Sequence, residues 1–257
     1  MASLNLITGA VAFASAFAAG TINSVAGGGT LITFPTLVWL GLDSITANAT
    51  STVAIWPFSV GGTLGYRKEV MTIPQRMWVL AAPGIAGGLL GAILLRMTPA
   101  STFDVIVPYL ILFATLLFMA QDPIQRWLKS SESETHKSPA WLIGMLIFQF
   151  LVGIYGGYFG AGIGIMMLAA MSILGLTDIH QMNGLKAVLA GAINAVAAIY
   201  FMVNHMVFWP DVGIMAIGAI MGGFMGAGIA RRMGRTAVRR TVVFVGFAMA
   251  ISLFVKK

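Results

Sequence analysis

The sequence predicts an all-α polytopic membrane protein made of two repeats, and three observations carry that prediction. Of its 257 residues, 58% are hydrophobic and only 9% charged, with a mean hydropathy of +0.91. A water-facing surface needs roughly a quarter of residues charged, so most of this surface faces something apolar. At about 20 apolar residues per crossing, the length allows about six to nine crossings. The second observation is a series of apolar runs bounded by charges or prolines. The third is that the same order of runs appears twice.

Taken in order, the first run covers 4–20 and ends at the glycine-rich break Gly27-Gly28-Gly29. An apolar piece at 30–41 follows, too short to span. Full-length candidates lie at 45–65, 76–96 and 101–121. A polar linker at 122–138 separates the first repeat (1–121) from the second (139–257). After it come 139–155, a glycine-rich break at 156–164, a short piece to 174, and runs at 179–204, 211–230 and 237–255. Phe17–Gly20 aligns with Phe150–Gly153 at an offset of 133, and Gly27 and Gly29 fall on Gly160 and Gly162. One further residue carries Leu40-Gly41-Leu42 onto Leu174-Gly175-Leu176, and Gly84 and Gly88 onto Gly218 and Gly222. A shared order at a nearly constant offset reads as a duplication, and internal repeats are characteristic of transporters.

Charge gives the expected topology. If each glycine-broken pair is a re-entrant hairpin, three spans remain per half and the second repeat is inverted. Arg67, Lys68, Arg76, Arg126, Lys129, Lys137, Arg231, Arg232, Arg235, Arg239 and Arg240 then share one side, against Arg96, Lys256 and Lys257 on the other: eleven to three. One net crossing per pair gives eight to six. Positive residues collect on the cytoplasmic side, which favours the inverted arrangement with both termini outside. The same rule accounts for the net charge of +7, so no nucleic-acid partner is expected. No Lys or Arg precedes Arg67, so the first run lacks the basic flank of a signal peptide and reads as embedded chain. Cysteine is absent, which removes thiolate metal and redox sites.

Candidate site residues are few. Gly160-Ala161-Gly162 lacks the strand and acidic ribose ligand of a dinucleotide loop. Two readings of the breaks remain: close helix packing, or freed N–H groups at half-helix N-termini, which bind anions. On the second reading Gly27, Gly28, Gly29, Gly160 and Gly162 line the substrate site, with Asn23 and Ser24 beside the first break. Lys186 lies about seven residues inside its span, and an intramembrane charge is costly enough to imply a function, although snorkelling to the interface is the alternative. Asn183 shares its helix face. Thr52 aligns with Lys186, so Thr50, Ser51 and Thr52, with Asn48, offer neutral donors from the first repeat. No Asp or Glu lies mid-span, so a buried carboxylate relay is not expected. Metal and cofactor are likewise not expected. The GxxxG pairs Gly84/Gly88 and Gly218/Gly222 set helix contacts within one chain or between the subunits of a homodimer.

Gly20 followed by Gly27-Gly28-Gly29, then Pro35, Ala49-Thr50-Ser51, Tyr66-Arg67 and the glycine return at Gly153 to Gly164, resembles the sulfite exporter TauE/SafE family over essentially the whole chain. The resemblance implies secondary transport of sulfite, organosulfonates or related small anions across a cytoplasmic membrane, without a bound cofactor. Two departures are a shorter first glycine run and Lys186 where a small hydroxyl residue is expected. Competing classes are an anion channel and a structural membrane subunit. An intramembrane enzyme lacks support, since the sequence has no HExxH and no Ser–His pairing within spans.

Overall fold

The computed structural model describes residues 5–25, 28–120, 123, 139–173, 176, 178–233 and 235–255. Among them all regular structure is helical. The helices are α1 (Leu6–Val25), α2 (Thr30–Trp39), α3 (Ser44–Gly65), the short α4 (Arg67–Met71), and α5 (Ala81–Met97), which a 3₁₀ turn at Gln75–Leu80 leads into. Then come α6 (Ala100–Met119), α7 (Pro139–Tyr158), α8 (Ile163–Ile173), α9 (Ile179–Val203), α10 (Trp209–Met233) and α11 (Arg235–Val255). Among the described residues, four helices are long and apolar enough to cross a bilayer. At 10 and 11 residues, α2 and α8 rise only about 15–17 Å, half of a hydrocarbon core. The predicted linker at 122–138 lies outside the described residues except at position 123.

Local chemistry sets the ends of these elements. Asp43 Oδ1 accepts the Thr46 N–H at the start of α3, and Asp178 Oδ1 accepts the Gln181 N–H at the start of α9. Each is a side-chain cap on an otherwise unpaired amide. Gly41, at φ 98°, closes α2 with paired bonds from Gly41 N–H to Val38 O and from Leu42 N–H to Leu37 O. Only glycine takes that backbone cheaply. Leu176 N–H bonds Met171 O in the same manner at the end of α8, 134 residues on. The short helix α4 is absent from the hydropathy pattern because five residues hold too little periodicity to read.

The packing pairs the halves with each other. The two most extensive helix contacts are α1 with α10 and α5 with α7, and both seams are lined by glycine and run parallel. Gly20 faces the Ala219 carbonyl and Gly222 faces that of Phe17, while Gly153 and Gly157 face those of Gly84 and Gly88. Between apolar helices in lipid the hydrophobic effect gives no net drive, so close backbone approach supplies the contact energy. By contrast α3 crosses α9 antiparallel, since Trp56 Nε1 donates to Gly191 O and Gly184 abuts Tyr66 and Val70. Helix α6 meets α11 the same way, with Tyr109 against Phe254 and Thr115 against Gly246. Exchanging α1, α2, α3, α5, α6 for α7, α8, α9, α10, α11 therefore maps the main contacts onto themselves. Ile147, Leu151, Phe224, Phe244 and Ile251 stand exposed outside, as lipid-facing side chains do.

Thr50, expected to line the site, has its hydroxyl engaged in this framework. It is fully buried, and its Oγ1 accepts the Phe208 N–H at 2.9 Å, fastening the entry to α10 onto α3. Thr50→Val keeps the shape and strands that amide, which costs about 1–2 kcal/mol. A Tm drop of about 2–6 °C is expected in detergent, and an unchanged melting curve would reject the fastening role.

Candidate functional site

The two chain breaks share a neighbour. Gly28 (φ 89°) lies against the ring of Phe118, and Gly162 (φ 83°) against Ala114 and Leu117, so one turn of α6 backs both. Phe34 of α2 also meets Phe159, just past the end of α7, edge to face at 5.4 Å. Each break carries a residue in the left-handed region, as a side chain on Cβ would resist. Gly160 shares that conformation at φ 81°, next to Asn194. Gly27 lies outside the described residues, and of Ser24 only the backbone, within α1, is described.

In the first break Asn23 Oδ1 accepts the Gly29 N–H at 2.8 Å, tying the end of α1 to the start of α2. Four residues on, Thr33 Oγ1 bonds Gly29 O and makes a 2.6 Å contact with Ser51 Oγ of α3; both hydroxyls are fully buried. Thr33 escaped sequence reading because a threonine in a short apolar helix carries no signal until its partner is known. Thr52 turns back to its own helix, donating to Asn48 O at 2.9 Å. Asn48, 1% exposed, reaches across the repeat boundary, its Nδ2 donating to Tyr158 O at the end of α7. Its Oδ1 is buried and accepts no hydrogen bond among the described residues.

In the second break the geometry centres on Lys186. Its stem lies across Gly164, in the first turn of α8, where a Cβ would come 3.1 Å from Lys186 Cδ. Its Nζ donates to Asn183 Oδ1 at 2.9 Å, one turn back on α9. Both residues are half-buried. A fixed ammonium thus shares a place with the positive end of an 11-residue helix. That combination attracts a small anion, because charge and helix field act in the same sense.

The structure corrects one equivalence. The matching caps, Asp43 on Thr46 and Asp178 on Gln181, set the α3/α9 offset at 135, one more than the sequence alignment used. Ser51, not Thr52, is the counterpart of Lys186, and Asn48 is the counterpart of Asn183. The extra residue lies between Leu42–Leu176 and the caps, in a connection that hydropathy does not register.

Asp211 and Gln149 are among the other buried polar residues. Asp211, at the segment end that the sequence indicates, is only 4% exposed in the first turn of α10. Gln149, inside the apolar run of α7, is fully buried beside Gly84, and neither end of its amide has a partner among the described residues. A lone glutamine in an apolar span is a visible signal that the sequence reading missed. Among the described residues no group of three or more His, Cys, Asp or Glu could hold a metal ion.

Comparison with known proteins agrees with this architecture. The family model described as Sulfite exporter TauE/SafE matches residues 12–253. A probable membrane transporter protein of Haemophilus influenzae is 27% identical, over 95% of this chain and 93% of its own. The probable membrane transporter protein ORF9 of Sinorhizobium is 28% identical over 94% and 90%. The probable membrane transporter protein YfcA of Escherichia coli K12 is 26% identical over 95% and 88%. No solved structure matches the chain significantly.

Proposed function

Since the chain belongs to the sulfite exporter TauE/SafE family, a family of multi-pass membrane transporters, we propose that it is a secondary transporter. Its substrate is a small sulfur-containing or organic anion of the sulfite or organosulfonate class, carried across the cytoplasmic membrane by alternating access. The observation that supports this reading best is Lys186, lying over the first turn of α8 and oriented by Asn183. A tetrahedral or pyramidal oxyanion suits a site that offers one ammonium at the positive end of a short helix.

The mechanism draws on the arrangement of the halves. Two repeats related by an axis in the membrane plane set each self-paired helix antiparallel to its counterpart, whereas an axis along the normal sets them parallel. The antiparallel α3/α9 and α6/α11 pairs support the inverted relation. On that relation helices α2 and α8, each too short to cross, are re-entrant. Alternating access follows if one half rocks against the other around the two breaks.

The test is a melting series on detergent-purified protein with sulfite, sulfate, thiosulfate, sulfoacetate, an aromatic sulfonate and acetate. A saturable Tm rise of several degrees with sulfur oxyanions, and none with acetate, is the expected result. An equal response to every anion, or a response to acetate alone, rejects the substrate class.

A further inference from the structure

Aligning the halves at the offset of 135 exposes an asymmetry. In the second half, Asn183 Oδ1 holds the Lys186 ammonium at 2.9 Å. In the first half the equivalent acceptor, Asn48 Oδ1, is buried and accepts nothing among the described residues. The counterpart of the lysine is Ser51, whose hydroxyl is engaged with Thr33 instead.

The amide's orientation is fixed by its own contact. Asn48 Nδ2 donates to Tyr158 O, and the reverse orientation would set two oxygens against each other. An amide oxygen buried without a partner is costly, so its retention calls for a donor or a positive charge there. The surroundings favour charge. Tyr158 is the last residue of α7, where carbonyls give the helix its negative end. Ser51, one turn along the same face of α3, and Thr33 of α2, which meets it at 2.6 Å, are both fully buried and supply the next oxygens. The donors are thus amide, hydroxyl and carbonyl oxygens, a set that suits a hard alkali cation and not a transition metal.

We propose that the first half carries a cation site, with Asn48 Oδ1 as its principal ligand, at the place where the second half carries the ammonium of Lys186. The bound ion is a monovalent alkali cation, and Lys186 is its tethered equivalent. The two halves then present a pseudo-symmetric pair of positive charges, one exchangeable and one built in. Loading and release of the exchangeable charge couple anion movement to a cation gradient. This inference concerns cation binding, which is read without any transported anion.

Full-length protein in detergent is melted in sodium chloride and in choline chloride at equal ionic strength. Sodium is expected to raise Tm saturably by about 5 °C over choline. Asn48→Asp adds a formal charge to the ligand and is expected to half-saturate at roughly tenfold lower sodium. Ser51→Lys supplies an ammonium in cis and is expected to melt at one temperature in both salts. Asn48→Leu is expected to lose the sodium response. Should Ser51→Lys fail to fold, the Asn48→Asp titration carries the same decision. No difference between sodium and choline in the wild type overturns the site, and so does a wild-type sodium response in Asn48→Leu. A sodium response without any anion response removes the substrate assignment above and leaves this site standing; the converse removes this site alone.

Discussion

Lys186→Met is expected to lower anion affinity and initial transport rate in proteoliposomes by about 10- to 100-fold while leaving the folded yield unchanged. A hydrogen bond to a charged group contributes about 1.5–3 kcal/mol net, and this one acts beside a helix N-terminus in a low-dielectric setting. Methionine preserves the length of the stem that lies across Gly164, so the packing survives and only the ammonium is removed. A second variant checks the geometry with the lysine intact. Gly164→Val places a side chain where Lys186 Cδ now passes and pushes the ammonium off the first turn of α8. It is expected to show a loss of similar size. Unimpaired transport in Lys186→Met would return the residue to a snorkelling role and leave the site without its cation.

Gly157→Leu is expected to prevent folding, or to lower Tm by about 10 °C or more. A Cβ at this position is driven into the backbone of Gly88, and a backbone carbonyl in a helix has no rotamer to retreat to. The only relief is separation of α5 from α7, one of the two most extensive contacts in the molecule. Ordinary overpacking costs about 1–3 kcal/mol, and this case exceeds it because the obstructing atoms belong to main chain. Gly144→Leu on the same helix is the control, since it is exposed and nothing lies within 4 Å of its Cβ position. Size-exclusion profiles and melting curves of the two variants decide the matter. Equal behaviour would mean that the glycine seam does not hold the halves together.

Much of the architecture was legible before any coordinates. The apolar runs at 45–65 and 179–204 became α3 (Ser44–Gly65) and α9 (Ile179–Val203), and the pieces too short to span became α2 and α8. Such boundaries are legible because lipid leaves a backbone no partner but itself. Apolar length therefore translates directly into helix. The site was legible only in part. Lys186, Asn183 and the glycine breaks stood out because charge and broken helix are both costly in a bilayer.

Thr50, Ser51 and Thr52 look alike in the sequence, a run of three small hydroxyls. In the tertiary structure each hydroxyl does something different: Thr50 fastens Phe208, Ser51 meets Thr33, and Thr52 bonds its own helix. Successive helix positions point about 100° apart, so adjacent residues face different neighbours, and sequence does not name the neighbours.

By itself, then, the sequence determined that this is a helical membrane protein with a duplicated order of segments, because hydropathy and glycine content are properties of the chain alone. The fold alone decided which face of α3 meets α2, where α5 lies along α7, and that Ser51 rather than Thr52 is the counterpart of Lys186. The reason is that those facts depend on contacts between residues of different helices, up to 110 positions apart, and on a one-residue shift in a connection that carries no hydropathy signal.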